Sequence, residues 1–413
     1  MFALSGLILN MMISDNRLKK KILADQYNSV IFEKGRGRET YLVGGYVRDI
    51  FRGIYSPDRD YIVSGNIFTF VAEIRKVFRG TVVKFKKGDM IRIALKNGLT
   101  FDLSRPLGTL EEDLARRDFT INAIAWSPEK GIIDPYNGLK DLEQKKIRSI
   151  SGENLISDPL RMLRAYRFAA ELNGSIENKT RNAIKMLHNN IKGVSPERIT
   201  LELFNLLNSD HSEEYLKMAL SDALLVAILL IPYKMLERNI KAISMLEKAP
   251  IDKIPKNIKV KLNRIFSQNL TYKGLLSLEL IMQNGSFTHT KVPNIKVSNT
   301  IKKRIELVHK GIKEIKKTRL RLEDRLFGIF MNSKEAVTDI LIIKDRLDLL
   351  KEFERFKRIW EKGLLSTEEI MNISDVETGP RLGRIIAEIK KAQFEGRVKS
   401  KRAAIKFIEK LRE

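Results

Sequence analysis

The chain contains no cysteine in 413 residues, which excludes disulfide bonds, thiol nucleophiles and cysteine-ligated zinc. Histidine is nearly as scarce. His188, His211, His289 and His309 are the only four, and they are too scattered along the chain to suggest a metal site. The apolar stretch Met1–Ile13 is too short to span a bilayer and has no basic residues before it. It reads as a packed helix, or as sequence ahead of a true start at Met11 or Met12. No other segment reads as transmembrane and there is no internal repeat, so a soluble, cytoplasmic protein is expected. Acidic residues are also in deficit. Lys and Arg number 76 against 51 Asp and Glu, a formal net charge of +25. The 43% hydrophobic content is ordinary for a folded chain. A strongly basic folded chain points to a polyanionic partner, because each cation placed near a phosphate releases counterions. A background composition rich in Lys and Ile accounts for the same excess, so charge alone does not identify a function.

At about 150 residues per domain, this length suggests two to four compact units. Between Tyr41 and Ser151 short apolar runs punctuated by Gly, Asn or Pro read as strands: Tyr41–Val43, Tyr61–Val63, Thr81–Val83, Ile91–Leu95 and Thr100–Leu103. Segments 46–53, 67–79 and 110–124 read as helices between them. Beyond Asp158 strand signals almost vanish and helical periodicity runs to the C-terminus. Weak breaks fall near 208–212, 284–298 and 363–380. The expected class is α+β, a mixed sheet with helices at 1–150 followed by an elongated all-helical remainder. That remainder divides into a neck at 151–210, a body at 211–325 and a tail at 326–413. The stretch 301–325 holds ten basic and four acidic residues; it is either a solvated helix face or a surface for RNA backbone.

The sharpest local pattern is Leu42-Val43-Gly44-Gly45-Tyr46-Val47-Arg48-Asp49, followed by Asp58-Arg59-Asp60. Two glycines between a strand and a helix let a phosphate approach backbone N–H groups at the helix start. Arg48, one turn on, can add a charged fork to the same triphosphate. Asp58 and Asp60, two apart on a strand, project to one face, and Arg59 points the other way. Paired carboxylates on one face suit two Mg²⁺ ions roughly 3.5–4 Å apart, which activate a hydroxyl and stabilise a leaving pyrophosphate. A Gly-Gly turn followed by a charged hairpin explains either half alone. Together they resemble the signature of polymerase-β-like nucleotidyltransferases. In that superfamily an acid on a neighbouring strand completes the site, and Asp102 is the candidate.

The stretch Arg116-Arg117-Asp118-Phe119-Thr120-Ile121-Asn122-Ala123 makes the resemblance specific. It is similar to the RRDFTINA element of class II tRNA nucleotidyltransferases and bacterial poly(A) polymerases. The resemblance implies that Arg117 contacts nucleotide phosphates while Asp118 and Asn122 hold the ribose. Ile133–Leu142 also matches, as the connector leaving the head. Asp158-Pro159-Leu160-Arg161 is a good helix start, with Asp158 as N-cap and Pro159 at the first position. Capping leaves Arg161, Arg164 and Arg167 unexplained. A carboxylate accepts from an exocyclic amine and a guanidinium donates to a ring nitrogen or carbonyl. Asp158 with Arg161 would therefore accept cytosine and adenine and reject guanine and uracil, as the family's matching pair does. Ser195–Ile199 and Glu202 fit the family pattern downstream. So do Thr378–Ile385 and Ala392–Gly396, which also read as a Pro-started helix with a Gly stop.

The chain departs from the family in two places. Ser157 stands where Glu usually precedes the base-reading Asp. The connection from Asp102 to Glu112 is shorter than the usual Arg- and Gly-containing flexible loop, and resembles enzymes that add only CC. The chain carries no appended phosphohydrolase His-Asp pair, and Val77–Phe85 does not match the Arg-rich element of the poly(A) polymerases. The resemblance thus implies an Mg²⁺-dependent enzyme that adds CCA to tRNA from CTP and ATP, with no obligate protein partner. The alternatives are a partial CC- or A-adding enzyme, a poly(A) polymerase, or a non-catalytic RNA-binding protein.

Overall fold

The computed structural model describes residues 18–85, 90–247, 255–283, 294–316 and 326–412. The Met1–Ile13 stretch, the basic run beyond residue 316 and most of the 284–298 break lie outside them. The chain divides at Leu229/Leu230 into two compact units.

In the first unit seven strands form one sheet: β1 (Thr40–Val43), β2 (Asp58–Val63), β3 (Thr81–Lys84), β4 (Met90–Ala94), β5 (Thr100–Ser104), β6 (Ala125–Ser127) and β7 (Gly131–Ile133). Their order is β3-β4-β5-β2-β1-β6-β7. The β2–β5 pair is parallel and the remaining neighbours are antiparallel. Period-two alternation sets the two faces. Tyr61 and Val63 of β2, Ile91 and Ile93 of β4, and Phe101 and Leu103 of β5 are buried against α1 (Gln26–Lys34) and, between β2 and β3, a helix at Ile67–Phe78. The second of these helices is capped by Asn66, whose side chain accepts from the N–H groups of Phe68 and Thr69. It buries Ile67, Phe70, Val71 and Ile74, an i, i+3, i+4, i+7 stripe. Each such side chain contributes about 1.5–3 kcal/mol. The helix stops where Arg79 turns left-handed at φ 51°.

Only part of the opposite face is covered. Tyr41, Val43, Ile62 and Ala125 pack there with Leu114 and Ala123. The rest, over β2, β5, β4 and β3, carries the polar alternates Asp58, Asp60, Thr100, Asp102 and Arg92. The cover is not the single helix expected over 110–124. A helix runs only over Leu110–Ala115, started by a capping box between Thr109 and Glu112, and a 3₁₀ turn follows at Thr120–Asn122. Tertiary pairing breaks the helix. Phe119 bridges Ser149, and the Thr120 N–H donates to Arg148 O at 3.0 Å.

Asp134 turns the chain into the next helix, Gly138–Glu143, by accepting from the N–H groups of Gly138 and Leu139. A Cβ on Gly138 would meet Thr120 O at 2.1 Å, so only glycine fits there. The neck follows as helices Gly152–Ser157, Leu160–Leu172, Asn178–Leu187 and Pro196–Asn208. The helix Leu160–Leu172 buries Leu160, Leu163 and Phe168, with Met162 and Tyr166 beside them.

The second unit is mostly helical, with separate apolar clusters around Phe330 and Phe356 and around Leu382 and Ile408. Two departures from an all-helical remainder are small ladders, Lys146–Ile147 with Ser175–Ile176 in the first unit and Ile265–Ser267 with Leu270–Thr271 in the second. Strands of two or three residues are too short to show a period. The break at 363–380 contains a capped helix, Thr367–Ser374, and the expected Pro380 start heads a helix to Phe394. No helix among the described residues is long and apolar enough to cross a membrane.

Candidate active site

The pairing register lines up the acids. Asp60 lies opposite Asp102 across the parallel β2–β5 pair, and Asp58 lies opposite Thr100. Arg92 of β4 is the next partner along the same rung. Its guanidinium grips Asp102 through two hydrogen bonds of 2.6 Å each. Thr100 donates to Asp58 at 2.5 Å. Asp60 has no such dedicated donor. Burial raises its carboxyl pKa to about 6; Arg117 opposes the rise while Asp102 and Asp58 add to it. Arg59 does face the other side, where it is 1% exposed and pairs with Asp25 at 2.6 Å against the Tyr46 ring. That buried pair locks β2 to the N-cap of α1 and so fixes the direction of both acids.

Gly44 occupies a left-handed conformation, φ 74°, at the entrance to the helix Gly45–Phe51. A Cβ there would lie 2.6 Å from Arg117 Nη1 and 3.6 Å from Asp60 Oδ2. The glycine therefore leaves room for cation and carboxylate to share one space. Arg117 is loosely held. Its contacts to Asn122 O and Asp113 are 3.4 and 3.5 Å, and its Nε has no partner.

Arg48, expected to fork onto a phosphate beside it, is differently placed. It is 8% exposed, its Nε and Nη2 donate to Asp49, and its Nη1 donates to Asn122 Oδ1 at 2.5 Å. Burial lowers its pKa, with Asp49 opposing. In this arrangement Arg48 is a brace for Asn122, and Arg117 is the cation facing the acids.

From Asn122 a polar chain continues into the neck. Asn122 donates to Asp118 at 2.9 Å, and Arg164 donates to Asp118 at 2.8 Å. Arg164 also reaches Glu202, which accepts from Arg167 at 2.6 Å, while Arg167 bonds Glu171 as well. Burial would raise the Asp118 carboxyl, but Arg164, Asn122 and the Phe119 N–H together hold it below the ordinary value. Arg48, Arg164 and Arg167 surround the ring of Phe168. Asp118, Asn122, Arg164 and Arg167 are thus joined in a head-to-neck strut.

Arg161 lies in the first turn of the same neck helix and Asp158 just ahead of it; the N-cap is Pro159, one residue later than the Asp158 expected, because Asp158 closes the preceding helix Gly152–Ser157. Asp158 Oδ1 caps the Leu160 N–H at 3.4 Å, and Oδ2 takes Arg198 at 2.8 Å. Arg161 donates to Asn154 O at 3.1 Å, and Ser157 donates to that same carbonyl. A main-chain oxygen therefore orients Arg161 where a glutamate was absent. Among the described residues no three acidic or histidine side chains are gathered into a metal-holding group. Asp58 and Asp60 remain a pair.

Residues 40–148 match the poly A polymerase head domain, and residues 175–233 match a domain described as a probable RNA and SrmB-binding site of polymerase A. The chain is 40% identical over 189 residues to the CC-adding tRNA nucleotidyltransferase of Synechocystis sp., 45% of each chain. It is 29% identical to the CCA-adding enzyme of Lactobacillus johnsonii over 89% of this chain and 92% of that one. At the higher identities the chain spans about half the length of the curated relatives it matches. A Thermotoga maritima CCA-adding enzyme complexed with tRNA superposes with a TM-score of 0.75 at 19% identity, over 96% of this chain and 98% of that one. The α+β head followed by helices is accordingly the fold shared with that enzyme.

Three residues in this arrangement had no assigned role in the sequence. Arg92 was legible as the polar member of Ile91-Arg92-Ile93, and Thr100-x-Asp102 repeats the spacing of Asp58-x-Asp60. The pairing of Arg198 with Asp158 bridges 40 residues and had no local signal.

Proposed function

We propose that this chain adds nucleotides to the 3′ end of tRNA from CTP and ATP without a template, building CCA in the cytoplasm. The observation that carries this is the rung Asp60–Asp102–Arg92, with Asp58 one step along β2 and Arg117 facing Asp60 at Gly44. Asp58 and Asp60 would hold Mg²⁺. The donor set fits, because both are hard oxygen ligands, and burial, with Asp102 and Asp58 adding to it, makes the ionised Asp60 costly in a way that a cation would relieve. When bound, the ion would lower the pKa of the tRNA 3′ hydroxyl and offset charge on the leaving pyrophosphate. Asp102 is held by Arg92 and completes the acidic rung.

In the reaction the 3′ oxygen bonds to the α-phosphorus, the α–β phosphoanhydride bond breaks, and pyrophosphate leaves. Arg117, with its unpartnered Nε, takes the triphosphate, and Gly44 and Gly45 let it come close. Arg48 holds Asn122, and Asn122 with Asp118 positions the ribose. Arg164, Arg167 and Glu202 hold the neck helix so that Asp158 and Arg161 meet the base. For Asp158, base recognition would replace the Arg198 contact.

A second reading, addition of CC alone, is favoured by the short link of five residues between Ser104 and Leu110. Gel extension of a tRNA lacking its CCA end decides between the two. Three added residues with CTP and ATP support full CCA addition, a stop after two supports the partial enzyme, and no extension overturns the proposal.

A further inference from the structure

The three acids of the open sheet face are held in three different ways. Thr100, a neutral hydroxyl, donates to Asp58. Asp60 faces the loosely held Arg117 at Gly44. Asp102 has both oxygens on one guanidinium, Oδ1 on Arg92 Nε and Oδ2 on Nη2, at 2.6 Å each. Alternation and register produce that fork. Period two buries Ile91 and Ile93 on the covered face of β4 and leaves Arg92 on the other. The antiparallel β4–β5 pairing then sets Arg92 directly opposite Asp102. The Phe85 ring, 5.8 Å from the guanidinium carbon, stands beside it. A two-pronged guanidinium–carboxylate pair is among the strong polar contacts, and the Asp102 side chain in it is only 13% exposed.

The charge of Asp102 is therefore matched inside the protein, beside a pair whose charge is not. Burial dominates the Asp60 carboxyl; behind it, Asp102 raises the pKa and Arg92 lowers it, so the pair meets Asp60 with opposing signs. Among the described residues no three acids are gathered to hold a metal. Resting on the transfer reading above, we propose that Arg92 is a positioning residue that withholds Asp102 from the metal-binding pair. Asp58 and Asp60 alone then hold the divalent cation, and without nucleotide they hold it weakly. Mg²⁺ suits such a site, since it is commonly bound by one or two carboxylates with substrate phosphates completing its shell. Metal uptake is thereby tied to nucleotide uptake. Three free carboxylates would instead trap a cation on their own.

The test titrates Mn²⁺, standing in for Mg²⁺, into the full chain without nucleotide and follows the free ion by electron paramagnetic resonance. Arg92→Gln frees Asp102 as a third ligand and should tighten Mn²⁺ binding about ten-fold or more, because affinity follows the charge of the ligand set. Damage to the fold would weaken binding, so a gain is not a structural effect. Arg92→Gln combined with Asp102→Asn removes both charges and should return the affinity to within about two-fold of wild type. With no unpaired charge left on the rung, this double variant keeps the test open where Arg92→Gln alone does not fold. Wild-type affinity in Arg92→Gln overturns the proposal. So does a double variant as tight as Arg92→Gln, since the gain would then come from the lost cation alone. A double variant much weaker than wild type also overturns it, by making Asp102 a ligand despite its fork. Extension of a tRNA lacking CCA, run beside the titration, separates the two readings. Unchanged Arg92→Gln affinity with an active wild type ends the withholding role alone; a tightened Arg92→Gln with a wild type that extends no RNA ends the transfer reading alone.

Discussion

Two groups of carboxylates, one on an open face of the first unit and one buried in the second, handle the same electrostatic problem differently. In the head, Asp58, Asp60 and Asp102 sit on an open sheet face; Arg92 answers Asp102, while Asp60 is left with a pKa of about 6. In the second unit Glu279 is 1% exposed, with neither carboxylate oxygen hydrogen-bonded. Nearby, Arg304 donates to Asp339 at 2.6 Å. Burial first, and then Asp339, push the Glu279 carboxyl well above its ordinary range. The sealed acid avoids an uncompensated charge by keeping its proton. Asp60, raised only to about 6, loses its proton by neutral pH, which suits the cation site proposed for it. Access from solvent, more than the number of acids, separates the acids proposed to bind from those that only pack.

The comparison breaks most visibly on activity. Asp58→Ala or Asp60→Ala should reduce nucleotide transfer by about a thousand-fold or more, the equivalent of about 4 kcal/mol, with the fold retained by circular dichroism. Transfer within ten-fold of wild type would remove these acids from the reaction. Next in size, Arg164→Ala leaves Asp118 and Glu202 without their shared cation. Chemical denaturation should show a loss of about 3 kcal/mol, with nucleotide selectivity impaired as well; an unchanged midpoint would mean that the strut carries little.

Stability against pH sharpens the contrast. A carboxyl whose folded pKa is raised binds more protons when folded, so stability falls as pH climbs from its unfolded value to its folded one. For Asp60 that window runs from 3.8 to about 6, in the absence of divalent cations. For Glu279 it opens at 4.5 and extends well above. Glu279→Gln should therefore stabilise the protein at pH 8 by about 1–3 kcal/mol and flatten the upper part of the profile. A variant less stable than wild type at pH 8 would show that the ionised form is favoured in the fold. Smallest is Asp158→Ala, which should narrow the preference for CTP and ATP over UTP and GTP by about ten-fold in kcat/KM. Unchanged misincorporation would confine Asp158 to capping and to its Arg198 pair.

Much of this was legible along the chain. Two acids spaced i, i+2 in a β segment must share a face, whatever the fold around them, and Arg59 between them must take the other. Gly44 was legible as a position needing an unusual backbone, and the helix started by Asp158-Pro159 follows from local capping chemistry. The sequence could not say which of two arginines faces the acids. Arg48 and Arg117 are equally charged, and only the fold brings Asn122, 74 residues away, onto the first and leaves the second loosely held. Nor was the break in 110–124 visible, because it depends on Phe119 meeting Ser149, thirty residues away.

What the sequence determined by itself is therefore whatever depends on near neighbours: strand alternation, helix caps, turn glycines, and the direction of the acid pair. The tertiary structure decided which acid lies across the sheet from that pair, which arginine is loosely held, and which residues brace the neck. Those outcomes follow from strand register and from contacts between segments tens of residues apart. No short-range propensity encodes them, since the pairing energy appears only once the strands meet.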